Sequence, residues 1–170
     1  MRWPAYFILA YVAVGLQIGL SEFLRVGSGA RPDLILLAVI FIAINAPRDA
    51  ALLGALGIGL MTDLVTIGPL GLYALAYSLA ATFTVSTQEM VYKSHPVTHF
   101  TLGLVGGLLG GLVVLIHGWI KGPGVPISAI LGSALYTAIL APVVLGLLNL
   151  VRGAFSFSSP SRRRARHSYR

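Results

Sequence analysis

A chain of 170 residues that is 56% hydrophobic and only 10% charged, with a mean hydropathy of +0.87, cannot clothe a soluble globule in polar surface. Ordinary soluble domains are about a quarter charged, so the solvent of this chain is read as lipid. The absence of cysteine excludes disulfides, thiolate metal sites and a thiol nucleophile. Of the twelve Lys and Arg behind the net charge of +7, six lie from Arg152 onward, so the basicity is mainly a property of the tail. No basic stripe interleaved with aromatics marks a nucleic-acid face.

Trp3 to Leu24 is an apolar run roughly 30 Å long as a helix, about the thickness of a bilayer core. It is longer than the apolar stretch of a signal peptide, and Glu22 and Arg25 stand where a cleavage site needs small residues. It reads as an uncleaved first span, with Trp3, Tyr6 and Tyr11 as interface anchors. Leu34 to Ala46 is the second span. Its thirteen residues reach only about 20 Å, which implies local thinning, burial inside a bundle, or a re-entrant segment. Pro32 and Asp33 suit the start of that helix.

The corner Asn45-Ala46-Pro47-Arg48-Asp49 leads into a third span, Ala50 to Ile67. Gly68-Pro69-Leu70-Gly71 turns the chain into a fourth, Leu70 to about Val85. Ser86 to His99 is the longest polar connection, with Glu89, Lys93 and Pro96 in it, and its start extends the fourth helix. Phe100 to Ile120 and Ile127 to Val151 are the fifth and sixth spans, the last kinked at Pro142. Residues 1–151 are thus read as an all-α polytopic bundle of six transmembrane helices, and 152–170 as a basic disordered tail.

With the N-terminus inside, the cytoplasmic side holds Arg2, Arg48, Lys93 and the six tail arginines, nine in all. The outer side holds Arg25, Arg31 and Lys121, which is three. The positive-inside rule therefore places both termini in the cytoplasm. The arginines Arg162, Arg163, Arg164 and Arg166, next to a span, read as contacts to anionic lipid worth about 1 kcal/mol each.

This topology gathers Glu22, Asp33 and Asp63, with Arg25 and Arg31, near the outer face. Ionisable groups at membrane depth are costly and mark pockets or partner sites, although Asp33 also suits a helix cap and the arginines suit local pairing. Glu22, Asp33, Asp63 and Arg31 are the candidate pocket or partner-binding residues. No catalytic set accompanies them. Asp63 has no second matching span and no Gly-x-Gly-Asp run, no Gly-x-Ser-x-Gly elbow exists, and His95, His99 and His117 lack a metal spacing. No cofactor, metal or enzymatic activity is expected. The strongest spacing is Gly103, Gly107 and Gly111 in the fifth span, which lets another helix backbone approach closely, within the bundle or from a partner. Ala51, Ala55 and Gly59, and Ser133, Thr137 and Ala141, repeat the pattern on spans three and six.

Arg31-Pro32-Asp33-Leu34, then Gly54…Gly57-Ile58-Gly59-Leu60-Met61-Thr62-Asp63-Leu64, then Leu70-Gly71-Leu72…Ala74-Leu75 form an ordered set. In this order and spacing the set resembles the MreD family of bacterial rod shape-determining membrane proteins. The resemblance implies a non-enzymatic, multi-pass inner-membrane subunit of the cell-elongation machinery that supports peptidoglycan synthesis. It implies association with the bitopic protein MreC, and through it with the polymerase RodA, its transpeptidase and MreB filaments. It also implies a fold resembling the substrate-binding subunits of energy-coupling-factor vitamin transporters, a fold-level analogy. The alternative of a different class is a small-molecule-binding subunit of such a transporter, with the same acids facing a ligand.

Overall fold

The computed structural model describes residues 3–20, 22–25, 29–87, 95–121 and 126–150. Among them the chain is all helix, with no strand: α1 Trp3–Leu20, α2 Leu34–Asn45, α3 Arg48–Val65, α4 Leu72–Thr87, α5 Pro96–Lys121 and α6 Ile127–Leu150. Residues 96–120 and 127–150 are long and apolar enough to cross a membrane. Arg2, the Trp3 and Lys121 side chains, Glu89, Lys93 and the arginines from Arg152 to Arg170 lie outside the described residues, so the lipid-contact reading of the tail does too.

The short α2 is the axis of the bundle. Every residue from Ile35 to Ile44 is buried, and α2 packs against α1, α3, α4, α5 and α6. A helix that is apolar all round belongs in a core. Of the three readings left open for the short span, burial inside the bundle is the one found. Its ends are set by local chemistry. Asp33 accepts from the Leu36 N–H at 2.8 Å as N-cap, and Ala46 is extended because Pro47 follows it. At about 18 Å, α2 is much shorter than the two long helices beside it, so its N-terminus begins part-way down them.

The helix ends differ from expectation where side chains intervene. The first helix stops at Leu20, and Glu22 lies in a turn beyond it. Pro96 does not break a loop but opens α5, where its missing N–H costs nothing. The fourth helix does run on through Ser86 to Thr87. Tyr6 is not an interface anchor: it is buried, and its hydroxyl donates to the Gly54 carbonyl at 2.6 Å, tying α1 to α3. Tyr11 is exposed.

Small residues set the helix spacings. A Cβ on Gly103 would stand 2.8 Å from the Ala141 Cβ, and one on Gly107 would stand 2.9 Å from the Ala134 Cα. One on Gly111 would overlap the Ile130 side chain. The glycine stripe of α5 is therefore filled by α6 of the same bundle. The counterpart on α6 is Ala134, Ala138 and Ala141; Ser133 and Thr137 are used otherwise. On α3, Gly59 faces the backbone of Ala74, which a Cβ would overlap, so α3 and α4 meet backbone to backbone.

Candidate functional site

The segment before α2 is held at depth by side chains from three helices. The Arg31 N–H donates to Ser133 Oγ at 3.0 Å, and the Asp33 N–H donates to Thr137 Oγ1 at 2.9 Å. Ser133 and Thr137 are one helical turn apart, a rise of roughly 6 Å, and Arg31 and Asp33 are two extended residues apart, a similar distance. The extended backbone thus lies in register along α6. From α1, the Gln17 amide accepts from the Leu34 N–H at 2.7 Å and donates to the Pro32 carbonyl at 3.1 Å. From α4, the Tyr77 hydroxyl donates to the Asp33 carboxylate at 3.1 and 3.2 Å. Thr137 lies ten residues into α6, roughly 15 Å along it. Non-helical backbone so far from the helix ends needs polar partners or a cavity beside it.

Both are present. A cavity of about 400 Å³ lies at the N-terminal end of α2, with walls from α1, α3, α4, α5 and α6. Arg31, Asp33, Gln17, Tyr73 and Tyr77 bring polar groups to its wall, and Gly107 and Gly111 of α5 border it as well as packing on α6.

Of the four predicted pocket residues, Arg31 and Asp33 line this cavity. Glu22 sits at the surface, where it pairs with Arg31 at 2.9 Å and more loosely with Arg25 at 3.7 Å. Asp63 is buried and faces the start of α4. Its Oδ2 accepts from the N–H of Gly71 at 2.9 Å and of Ala74 at 3.1 Å, and its Oδ1 from the N–H of Tyr73 at 2.8 Å. The first α4 residues have no helical acceptors for these N–H groups. A carboxylate one helix away supplies the cap, and Gly71, at φ +100°, makes the turn that aims them. Chemically, Asp63 is spent on the backbone amides that open α4, whereas Asp33 lies on the wall of a void.

Sequence reasoning did not single out Gln17, Tyr73, Tyr77, or the acceptor role of Ser133 and Thr137. Two signals were available: Gln17 is the one amide in an otherwise apolar α1, and Tyr73 and Tyr77 share a helix face. The hydroxyls of α6 carry no such signal.

The family model described as rod shape-determining protein MreD matches residues 1–151. The chain belongs to the MreD family. Membership places it among membrane proteins of rod-shape determination, a structural role, and accords with an all-helical chain bearing two helices long enough to span a bilayer. No curated protein and no solved structure matches it. The residues that carry the MreD resemblance now have physical roles. Arg31 to Leu34 are the segment threaded along α6, Gly59 and Asp63 are the contact and cap on α3, and Gly71 to Ala74 are what they receive.

Proposed function

We propose that this MreD-family chain is a non-enzymatic, multi-pass subunit of the cell-elongation machinery in the bacterial inner membrane. All six helices enter the membrane, and both termini are cytoplasmic. It binds an MreC-like bitopic protein and, through it, supports the RodA-type polymerase, its transpeptidase and MreB filaments in peptidoglycan synthesis. The basic tail contacts anionic lipid. The pocket bordered by Arg31 and Asp33 receives a segment of the bitopic partner.

The single observation that carries this reading is the family match over 151 residues, joined to a bundle whose central helix opens onto a cavity. The test is co-purification of the tagged chain from membranes with an MreC-like protein, together with cell shape after deletion. Recovery of the partner and rounding of the cells are expected. Rod-shaped cells and no such partner would overturn the proposal.

The cavity volume favours one second reading, a subunit that captures a vitamin-like molecule, since pockets for small ligands run from about 300 to 1,000 Å³. Tight binding of such a molecule by the purified protein, with cell shape unchanged on deletion, would select it.

A further inference from the structure

Among the described residues the cavity wall carries one acid, Asp33, and one base, Arg31. They do not pair with each other. Arg31 is held by Glu22, and among the described residues the ion pairs join Glu22 to Arg25 and Arg31. The Asp33 carboxylate accepts from neutral donors alone, the Leu36 and Ile35 N–H groups and the Tyr77 hydroxyl, which reaches both oxygens. The N-terminus of α2 contributes roughly half a positive charge, which leaves about half a unit of negative charge uncompensated. Charge inside a membrane bundle is ordinarily paired.

The surroundings suit a cation. Tyr73 and Tyr77 both line the cavity, with ring centroids 5.8 Å apart, and aromatic faces attract ammonium and guanidinium groups. Val14, Ile35, Val114 and Ile130 give the wall an apolar stretch that fits an aliphatic stem.

We infer that this cavity recognises an organic cation, an ammonium or guanidinium on an aliphatic stem, seated on the Asp33 carboxylate beside the paired rings of Tyr73 and Tyr77. The inference rests on the proposed function for its natural source, which there is a lysine or arginine side chain of the partner segment. A free amine is the other source of the same chemistry.

The test uses the full-length protein in nanodiscs, with n-butylammonium as the probe and 1-pentanol as a neutral molecule of similar length. Butylammonium raises the Tm of the unaltered protein and pentanol does not. Asp33→Asn abolishes the rise, because asparagine caps a helix about as well as aspartate but carries no charge. Asp49→Asn, at the exposed far end of α3, leaves it intact. Should Asp33→Asn fail to assemble, Val114→Phe narrows the cavity from α5 with the carboxylate in place, and the rise is lost again. No rise in the unaltered protein, an equal rise with pentanol, or a rise that survives Asp33→Asn overturns the inference. Partner retention is measured on the same preparations. Release of the partner by butylammonium supports the side-chain source, and a Tm rise with the partner undisturbed supports the free amine. A retained partner with no Tm rise sinks the cation site and leaves the proposed function standing; a Tm rise without any partner does the reverse.

Discussion

Asp63 on α3 and Ala74 on α4 are joined by a hydrogen bond of 3.1 Å, the carboxylate accepting from the backbone N–H. With the bonds to Gly71 and Tyr73, one side chain of α3 caps the next helix's first turn. An ordinary N-cap does this from the same helix; here the cap also fixes how two helices meet. Asp63→Ala leaves three N–H groups without their acceptor, at a cost of roughly 2–4 kcal/mol. The Tm in detergent falls, and less of the protein accumulates in membranes. Asp63→Asn keeps one acceptor oxygen and falls between. An unchanged Tm in Asp63→Ala would remove the cap from the account.

Glycines divide into those with a neighbour and those without. Gly59→Leu drives a side chain into the α4 backbone at Ala74, and Gly107→Leu drives one into Ala134 of α6. Each is expected to destabilise by about 1–3 kcal/mol or more, since cores are close-packed. Gly15 has nothing within 4 Å of where a Cβ would sit, and Gly15→Ala is expected to be neutral or slightly stabilising. Thermal denaturation of the three variants side by side checks the contrast, and equal behaviour would refute it.

Thr137→Val keeps the shape of the side chain but withdraws the acceptor from the Asp33 N–H. A buried donor left unpaired costs about 1–3 kcal/mol. Gln17→Leu removes both an acceptor and a donor from the same segment and is expected to cost at least as much. Ser133→Val completes the set. Faster hydrogen exchange at Asp33 and Leu34 in these variants would locate the effect at the head of α2; exchange confined to α6 would contradict it.

The pair between Glu22 and Arg31 is half-exposed, with side-chain exposures of 67% and 39%. Such pairs are screened and contribute below about 1 kcal/mol. Glu22→Gln therefore changes the Tm little, and raising the salt concentration erases what difference there is. A large, salt-insensitive loss would mean that the pair orders the cavity mouth.

Much of this bundle can be read from the chain because a helix buried in a core, or long enough to cross a bilayer, needs an apolar run. Leu34 to Asn45 stands out between Pro-Asp and Asn-Ala-Pro, and the glycine stripe of α5 announces a close helix contact. The roles of single polar residues are harder to read. Asp63 looks like an isolated intramembrane acid, because its partners are backbone groups eight to eleven residues later that carry no side-chain signature. Ser133 and Thr137 look like spacers, because what they hold is an extended segment about a hundred residues earlier. Tyr6 looks like an interface anchor until the carbonyl of Gly54 is seen at its hydroxyl. Composition and period report which side of a helix is apolar; they do not report which distant backbone group lies opposite a hydroxyl.

The threading of Arg31 to Asp33 along α6 sets an order of assembly. During synthesis α1 and α2 emerge long before Ser133 and Thr137 exist, so the peptide groups leading into α2 are born without their final acceptors. Other donors and acceptors, water among them, must serve them until α6 arrives. A chain ended after α5 would leave the backbone that leads into α2 without the Ser133 and Thr137 hydroxyls. α6 completes the segment that leads into α2, and the cavity is walled in only when α6 is in place.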